Sequence, residues 1–451
     1  MRVRYLIVGA GPTGLGAAHC LLERSAEFLV VDSQPVAGGL AGSVVDEAGF
    51  TWDFGGHVQF SHYEHFDRYM DRALGPAGWI EHERRSTVWI CDRFVPYPLQ
   101  ANLECLPGDE RALCERDLLA TRTSAPAAPA NYSDWIDRTF GERLAEIFMR
   151  PYNSKVWAHP LDSMSCDWVA ERVALPRAGG GSGWGPNRTF RFPERGGTGA
   201  VWRALAGALP AASVRLGNGV VAIDAARRVA RLQSGVEVEY GALISTMPLD
   251  RLTLLVGDPA LADAAGELRH SSTHVVGIGL EGAPPDAIAA ATWMYFPDPA
   301  LPFYRVTAFS NYSPNNVPAP GAWSLMAEVA ESRYAPVDAA TVVDEVLAGM
   351  ASSGLSGTSP RILSRWHRRL DYGYPTPTLG RDDILAEVLP ALESMDIYSR
   401  GRFGAWKYEV SNQDHSFMQG WECAERLCLG AGEDHEVTLR RPELIHWRPA
   451  A

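Results

Sequence analysis

The chain has 451 residues, of which 46% are hydrophobic and 21% are charged. At roughly 100–200 residues per domain, this length predicts two or three structural units, and the composition excludes extended disorder. The 41 basic and 54 acidic residues give a net charge of −13, which argues against a binder of nucleic acid or acidic membranes. A small anionic ligand held by a few arginines remains compatible with this charge.

The cysteine spacing and the hydropathy indicate where the protein is expected to be located. Seven cysteines show no CxxC spacing, so neither a metal site nor a disulfide framework is predicted, and a reducing cytoplasm is the expected location. No apolar run approaches the roughly 18 residues of a membrane span, so no membrane insertion is expected.

The first element is an apolar run at 4–9, followed by the glycine-rich sequence GAGPTGLG, a helical stretch, and a second apolar run that ends at Asp32. This order predicts a dinucleotide-binding unit, the alternative being a glycine-rich turn without a ligand. Gly9 permits the tight turn, Gly11 lets the backbone approach a pyrophosphate, and Gly14 lets the helix pack on the strand. Asp32 is placed to accept hydrogen bonds from a ribose.

Two further glycine pairs follow this acid. The residues concerned are Gly38, Gly39 and Leu40, and then Gly55, Gly56 and His57. A glycine pair shortly after the ribose acid is typical of flavoproteins, in which the chain passes close to the flavin and its phosphates. The pattern therefore favours FAD over NAD, the alternative being two ordinary turns.

The rest of the chain alternates between helical and strand-like segments. Helical periodicity is found at 62–75, 133–150, 337–350 and 382–395. Strand-like alternation is found at 212–246 and, in short runs, at 272–330. The run RAGGGSGWG at 177–185 is too rich in glycine to be rigid, so it is either a solvated linker or a flap beside a site.

Eight blocks of sequence, in order along most of the chain, resemble the UDP-galactopyranose mutase family, and specifically its eukaryotic-type branch. They are GGHVQFSHYEHFD (55–67), FVPYPLQANL (94–103), RPYNSKVWAHP (150–160), WVAERVALP (168–176), GPNRTFRFPERGGTGAVWRAL (185–205), WMYFPDPALPFYRVTAFSNYSPNNVP (293–318), GYPTPTLGR (373–381) and GRFGAWKYEVSNQDHSFMQG (401–420). The similarity thins at 106–130, 205–290 and after 422.

The resemblance implies an α/β fold: a Rossmann-like FAD-binding domain with an inserted helical domain and an antiparallel β-sheet domain. We expect the FAD-binding domain to comprise 1–92 and 396–451, together with a flap, a helix and strands at 181–250. The helical substrate domain is expected at 93–180, and the antiparallel-sheet substrate domain at 251–395.

The resemblance also implies a flavoenzyme that interconverts UDP-galactopyranose and UDP-galactofuranose. Reduced FAD is expected to attack the anomeric carbon through N5, with UDP leaving and returning, so that no net redox change occurs. NADPH is implied as the reductant. The expected partner is a small UDP-sugar, and the oligomeric state is left open.

Because the protein is acidic, local arginines are needed to bind the two phosphate charges of UDP. The catalytic residues implied by the resemblance are His57, Arg172, Arg305, Arg402 and Asn412. Arg172 and Arg305 match positions that hold the pyrophosphate, and Arg402 matches an arginine beside the flavin. Phenols can also donate to phosphate oxygens. Those expected to do so are Tyr295, Tyr312, Tyr374 and Tyr408, for which the alternative is a core position.

The uridine end needs an aromatic face and amide partners. The residues that match uridine contacts are Tyr97, Gln100, Phe148, Asn153 and Trp157. Asn187 follows the glycine-rich run, which makes 177–189 the expected flap over the nucleotide. Leu99 departs from the family, which usually has an aromatic residue there, and we expect this change to loosen one wall of the nucleotide pocket.

The flavin end is expected to include His57, Arg84 and Asn412, with Arg84 and Asn412 also contacting the substrate. The backbone of the segment at His57 is expected to meet N5 of the flavin. The remaining cofactor contacts implied by the resemblance are Arg305, Gln413 and Ser416.

Three alternatives stay open. The same ring contraction could act on a different nucleotide sugar. An amine-oxidase-type flavin oxidoreductase would share the N-terminal fingerprint and the segment 245–248, but it would lack the arginine and tyrosine set. An inactive nucleotide-binding relative is the third.

Overall fold

A computed structural model describes residues 1–121 in full, the backbone of 122 and 123, and then residues 128–169, 172–176, 185, 187–357 and 360–446. The helices are α1 (Pro12–Glu23), α2 (Glu64–Leu74), α3 (Gly108–Thr123), α4 (Tyr132–Leu144), α5 (Arg150–Trp157), α6 (Gly199–Gly207), α7 (Leu249–Val256), α8 (Pro259–Gly266), α9 (Val342–Ser352), α10 (Arg381–Glu393), α11 (Gln413–Leu429) and α12 (Val437–Arg440).

The strands are β1 (Arg2–Val8), β2 (Phe28–Val31), β3 (Ser43–Val45), β4 (Thr51–Asp53), β5 (Trp79–Glu83), β6 (Thr87–Ile90), β7 (Arg93–Pro96), β8 (Thr189–Pro193), β9 (Val214–Arg215), β10 (Val220–Asp224), β11 (Val229–Leu232), β12 (Glu237–Ser245), β13 (Arg269–Glu281), β14 (Trp293–Tyr295), β15 (Arg305–Thr307), β16 (Ala322–Glu331), β17 (Ile362–Thr376) and β18 (Ile397–Ser399).

The first of two large sheets has the N-terminal strand at its centre. Its order is β10-β11-β12-β1-β2-β9, and β18 also pairs with β12. β1 is parallel to β2 and β12, and its last four residues are buried. Near-continuous burial is expected of a parallel strand covered on both faces. α1 follows β1 directly, so the glycine-rich turn lies at the carboxyl edge of this sheet.

The second large sheet is mainly antiparallel, in the order β17-β13-β16-β15-β14-β6-β7. β13 lies between β17 and β16 near one edge of this sheet and is antiparallel to both. The expected α/β fold, with parallel and antiparallel sheets and added helices, is confirmed. β6 and β7 extend the second sheet although the predicted boundaries assign them to other domains, and those boundaries remain a prediction.

Close packing of two helices brings the end of the chain to the glycine-rich turn. A Cβ atom at Gly16 would lie 2.1 Å from the carbonyl oxygen of Phe417, and one at Gly420 would lie 1.8 Å from that of Thr13. Glycine at both positions therefore permits the contact between α1 and α11. As a result, Asn412 and the first turn of α11 lie beside the start of α1.

Two of the predicted helices have different bounds in the structure. The segment 133–150 is not one regular α-helix, because Gly141 has φ +73° and Ala145–Met149 forms a short π-helix between α4 and α5. α9 begins at Val342 rather than at 337. α2 and α10 match the predicted helices at 62–75 and 382–395 within two residues.

Candidate functional site

One large cavity, of about 1390 Å³, lies between the two sheets. It exceeds the roughly 300–1,000 Å³ of a typical small-molecule pocket, so it has room for a cofactor and a second ligand. Its lining begins at Val8 and Gly9, at the carboxyl end of β1, and extends to Arg305 on β15 and to the first turn of α11. The residues expected to bind the cofactor and those expected to bind the substrate therefore line the same cavity.

The glycine-rich turn has the form of a phosphate cradle. Gly9 has φ +109°, and a Cβ at Gly14 would lie 1.8 Å from the carbonyl oxygen of Gly9, so Gly14 permits the helix to pack on the turn. Gly11 caps α1 without a side-chain hydrogen bond, and a Cβ there would meet nothing closer than 3.7 Å. The open space and the free helix N-terminus fit a pyrophosphate.

Asp32 lies beside this cradle at the end of β2. Its Oδ2 accepts a hydrogen bond from the Ala10 amide at 2.6 Å, and its Oδ1 accepts one from the Gln34 amide at 2.7 Å. Burial raises the pKa of Asp32, and the two amides oppose that shift. The amides fix the carboxylate at the cavity wall, where each oxygen keeps a lone pair for a ribose hydroxyl.

The second and third glycine pairs continue this wall. The Gly38 amide donates to the Ala10 carbonyl at 2.9 Å, so Gly38 supports the turn, while Gly39 and Leu40 line the cavity. Gly55, Gly56 and His57 line it further along. The residues that would hold FAD therefore follow one another from the cradle toward the second sheet, and the donor set fits the cofactor.

The His57 imidazole is neutral at physiological pH. Burial, the largest cause, lowers its pKa to about 4; Arg402 and Arg305 act in the same direction, and the Glu328 carboxylate opposes them. Its Nδ1 is buried and has no hydrogen-bond partner among the described residues. His57 lines the cavity, but this ring nitrogen is not exposed to it.

Arg305 is held by a buried acid. Its Nε and Nη2 donate to the Glu328 carboxylate at 2.9 and 2.8 Å, and the Tyr304 hydroxyl donates to the same carboxylate at 2.7 Å. Glu328 is 2% exposed. The guanidinium is thus fixed by one edge, with Nη1 left for an anion in the cavity.

Arg172 and Arg402 have no carboxylate in an ion pair among the described residues. Arg172 donates to the Asn412 side chain at 3.0 Å and to the Glu409 carbonyl at 2.8 Å. Arg402 donates to the Gly373 carbonyl at 3.0 Å and to the Ser411 hydroxyl at 2.9 Å, and burial lowers its pKa. Two cations at the wall without an acid make this end of the cavity a site for an anion.

Aromatic rings surround these cations. Arg172 lies 4.6 Å from the centre of the Tyr408 ring, and Arg402 lies 4.8 Å from that of Tyr374. Both phenols line the cavity, as does Tyr295. The arrangement places phenol donors beside guanidinium donors, and both can donate to the oxygens of a diphosphate.

The expected uridine contacts lie together at the far end. Those that line the cavity are Tyr97, Gln100, Phe148, Asn153 and Trp157, with Arg84 and Asn187 beside them. Gln100 donates to the Ala174 carbonyl at 2.6 Å, but its buried Oε1 has no partner among the described residues. The Asn153 side chain already has two hydrogen-bond partners in the protein, because its Oδ1 accepts from the Tyr132 hydroxyl and its Nδ2 donates to the Met149 carbonyl.

Not every predicted residue lines the cavity. Tyr312 is fully buried in the core beneath it, between Phe190 and Phe192. Leu99 is also fully buried in that core, so the expectation that it forms a wall of the nucleotide pocket is wrong. The predicted flap at 177–189 lies largely outside the described residues, although Asn187 accepts a hydrogen bond from Arg84.

Several cavity residues were not predicted. Among them are Tyr152, Trp168, Tyr304, Glu328 and Arg368. Glu328 had one signal, since it is an acid within the otherwise apolar strand LMAEVA. Arg368 lies 4.0 Å from the centre of the Phe54 ring and gave no comparable signal.

Three buried side chains at the cavity edge, those of His62, Asp414 and His415, lie close together, and a hydrogen bond explains their proximity. His62 Nδ1 lies 2.7 Å from Asp414 Oδ2, and His415 Nδ1 lies 3.3 Å from Asp414 Oδ1. Three potential metal-ligand atoms therefore lie within 4.8 Å of one another. The short His–Asp contact has the geometry of a hydrogen bond, and no metal is assigned here.

Comparison with known proteins identifies the family. Residues 12–428 match the family of flavin-containing amine oxidoreductases. A solved structure of a reduced UDP-galactopyranose mutase is similar with a TM-score of 0.95 and 44% identity, over 99% of this chain and 97% of the other. The chain belongs to the UDP-galactopyranose mutase family.

More distant structures share the fold alone. A protein from Exiguobacterium sp. 255-15, assigned as a protoporphyrinogen oxidase, has a TM-score of 0.73 and 19% identity, covering 95% of this chain and 99% of that one. Putrescine oxidase with bound putrescine has a TM-score of 0.70 and 16% identity, with the same coverage. The mutase family therefore uses a flavin scaffold that oxidases also use.

Proposed function

We propose that this protein is a flavin-dependent isomerase that interconverts UDP-galactopyranose and UDP-galactofuranose without net redox change. The observation on which this rests is a single cavity with an FAD cradle at one end and, at the other, half-buried arginines that form no ion pair with an acid among the described residues. An oxidase acting on a cationic amine has no use for a pair of uncompensated cations in its cavity. A nucleotide diphosphate supplies the anion that these cations lack.

FAD would be held by the glycine-rich turn, Asp32, and the backbone at Gly39 and Gly56, and its reduced N5 supplies the nucleophile for the anomeric carbon. Arg172, Arg305 and Arg402 would bind the diphosphate, and they would stabilise the negative charge that grows on it as UDP departs. Charge-assisted donors fixed before the reaction need no reorganisation when that charge develops.

His57 would act as a neutral residue. Its low pKa keeps the imidazole uncharged, so it adds no further cation beside Arg305 and Arg402. A rotation of the Gln100 side chain would bring its unpartnered Oε1 to an N–H group of the uracil, and Tyr97 would cover the base. These contacts hold UDP in place after it has left the sugar, so that it is positioned to return.

Finer features belong to the same proposal. We infer NADPH as the reductant and membership of the eukaryotic-type branch from the sequence resemblance. Among the described residues, no helix is both long and apolar enough to cross a membrane. The seven cysteines are unpaired, which supports the reducing cytoplasm as the proposed location.

A nucleotide-sugar panel tests the substrate. Dithionite-reduced enzyme should convert UDP-galactopyranose in both directions, and UDP should compete with it whereas free galactose should not. The same enzyme kept oxidised in air is the control and should be inactive. Contraction of another nucleotide sugar with UDP-galactose untouched would overturn the substrate, and equal activity of the oxidised enzyme would overturn the flavin mechanism.

A further inference from the structure

The Glu328 carboxylate joins two parts of the cavity that lie far apart in sequence. Its Oε1 accepts from the Gly56 amide at 2.9 Å and from Arg305 Nε at 2.9 Å. Its Oε2 accepts from Arg305 Nη2 at 2.8 Å and from the Tyr304 hydroxyl at 2.7 Å. A carboxylate has about four acceptor positions, so this one is saturated by protein donors.

Strand pairing and backbone packing hold these donors together. Arg305 on β15 lies directly opposite Glu328 on β16, so their side chains meet across the ladder. A Cβ at Gly56 would lie 2.9 Å from Thr307 Oγ1 and 3.2 Å from Glu328 Oε1. The Gly55–His57 backbone therefore rests against the arginine–acid pair without space between them.

A diphosphate in the cavity would compete with Glu328 for Arg305. Both are anions, and a guanidinium that donates to a phosphate through Nη1 shares its positive charge between the phosphate and the carboxylate. The carboxylate then interacts more weakly with Arg305 and relies more on Gly56 and Tyr304, which changes the charge and the hydrogen bonding beneath the Gly55–His57 segment. Because the carboxylate is buried, this change is poorly screened by water.

We propose that Glu328 is a positioning residue that couples diphosphate binding at Arg305 to the Gly55–His57 segment on the flavin side of the cavity. The inference rests on the proposed function for its two ligands, FAD and a nucleotide diphosphate. Coupling between two sites is reciprocal. If Glu328 transmits this coupling, UDP shifts the flavin midpoint potential, and the redox state of the flavin changes UDP affinity by the factor that corresponds to that shift.

The midpoint potential with and without UDP measures this coupling directly. For a two-electron couple, a tenfold ratio of UDP affinities between the two redox states corresponds to about 30 mV. We expect saturating UDP to shift the potential of the wild-type holoenzyme by at least that amount. In Glu328→Gln, which keeps the size of the side chain but not its charge, the shift should fall to less than half.

Glu331→Gln is the matched control. Glu331 lies three residues further along β16, on the opposite face of the strand, and it binds Arg369 and His274 rather than Arg305. Its variant should show the wild-type shift. A Glu328→Gln shift equal to that of the wild type, or a wild-type enzyme without a shift, would overturn the inference.

A second variant covers the case in which Glu328→Gln fails to fold. Arg305→Lys keeps the positive charge but cannot make the two-pronged contact with Glu328, so it should also lose most of the shift at saturating UDP. Retention of the full shift would overturn the inference. The measurement needs no turnover: a UDP-linked shift lost in the variants would support the coupling even if UDP-galactose were not converted. Conversion with a shift retained in the variants would overturn the coupling alone.

Discussion

Replacing Arg305 by alanine should reduce stability as well as catalysis, because it leaves the Glu328 carboxylate buried without its cation. Breaking a buried ion pair by removing one partner costs about 3–5 kcal/mol. The Arg305 side chain is 20% exposed to the cavity, so we take the lower end. At about 2.1 cal/mol/K per residue, the unfolding entropy of 451 residues is about 0.95 kcal/mol/K, and 3 kcal/mol lowers Tm by about 3 °C.

The stability of this variant should also acquire a distinctive pH dependence. In the wild type, burial raises the pKa of Glu328, but Arg305 and the hydrogen-bond donors outweigh burial and the net pKa is lowered. Without Arg305, burial dominates and the pKa rises above that of the unfolded chain. A raised carboxyl pKa stabilises the protein below the unfolded value of about 4.3, and this stability is lost as pH rises.

Calorimetry at pH 5.5 and pH 8 checks this reasoning. Relative to the wild type, Arg305→Ala should lose more Tm at pH 8 than at pH 5.5. The double variant Arg305→Ala/Glu328→Gln, which carries no stranded charge, should recover most of the loss at pH 8. Loss of the diphosphate donor, worth about 1.5–3 kcal/mol, should still reduce kcat/KM roughly 10- to 150-fold. A single variant as stable as the wild type, or a double variant less stable than the single, would refute the account of Glu328.

Two further predictions concern the cofactor side. Gly11→Ala should fold, because a Cβ fits there, but its FAD affinity should fall by at least about tenfold (about 1.4 kcal/mol). Gly14→Ala should fail to fold, because its Cβ would lie 1.8 Å from the Gly9 carbonyl oxygen. Circular dichroism measures folding and the absorbance of bound FAD measures binding, and two variants with the same folding and the same FAD binding would contradict the phosphate cradle. Because the His57 pKa is lowered to about 4, its stabilising effect is present above pH 6.5 and is lost as pH falls toward 4. Over that pH range, the free energy of unfolding of the wild type, measured by denaturant titration, should therefore fall by up to about 3 kcal/mol more than that of His57→Gln. An equal fall in the two proteins would contradict the lowered pKa of His57.

The sequence predicted best what depends on local order. The run from β1 through Gly11 to Asp32 places its ligand groups by short-range geometry, so its form could be predicted from spacing alone. The family blocks supplied the other expected residues that line the cavity, including Arg172 and Arg402, but as a resemblance rather than as a derivation from chemistry.

The misplaced and missed residues depend on tertiary register. Tyr312 is close in sequence to cavity residues, yet its side chain packs in the core between two phenylalanines. Glu328 meets Arg305 only because β15 and β16 pair in the observed register. A one-residue slip would reverse the faces. β16 is buried on both faces, so its sequence lacks the polar–apolar alternation from which a register can be predicted. Leu99 shows the same limit, since burial in the core removed the role expected from its position.

The ratio of product formed to reducing equivalents consumed distinguishes an isomerase from a flavin oxidoreductase. Anaerobic enzyme reduced with one equivalent of dithionite per flavin would be incubated with UDP-galactopyranose, and the nucleotide sugars would be separated by chromatography. An isomerase without net redox change should form many molecules of UDP-galactofuranose per reduced flavin, with the flavin still reduced at the end. One product or fewer per reducing equivalent, with the flavin oxidised, would contradict it.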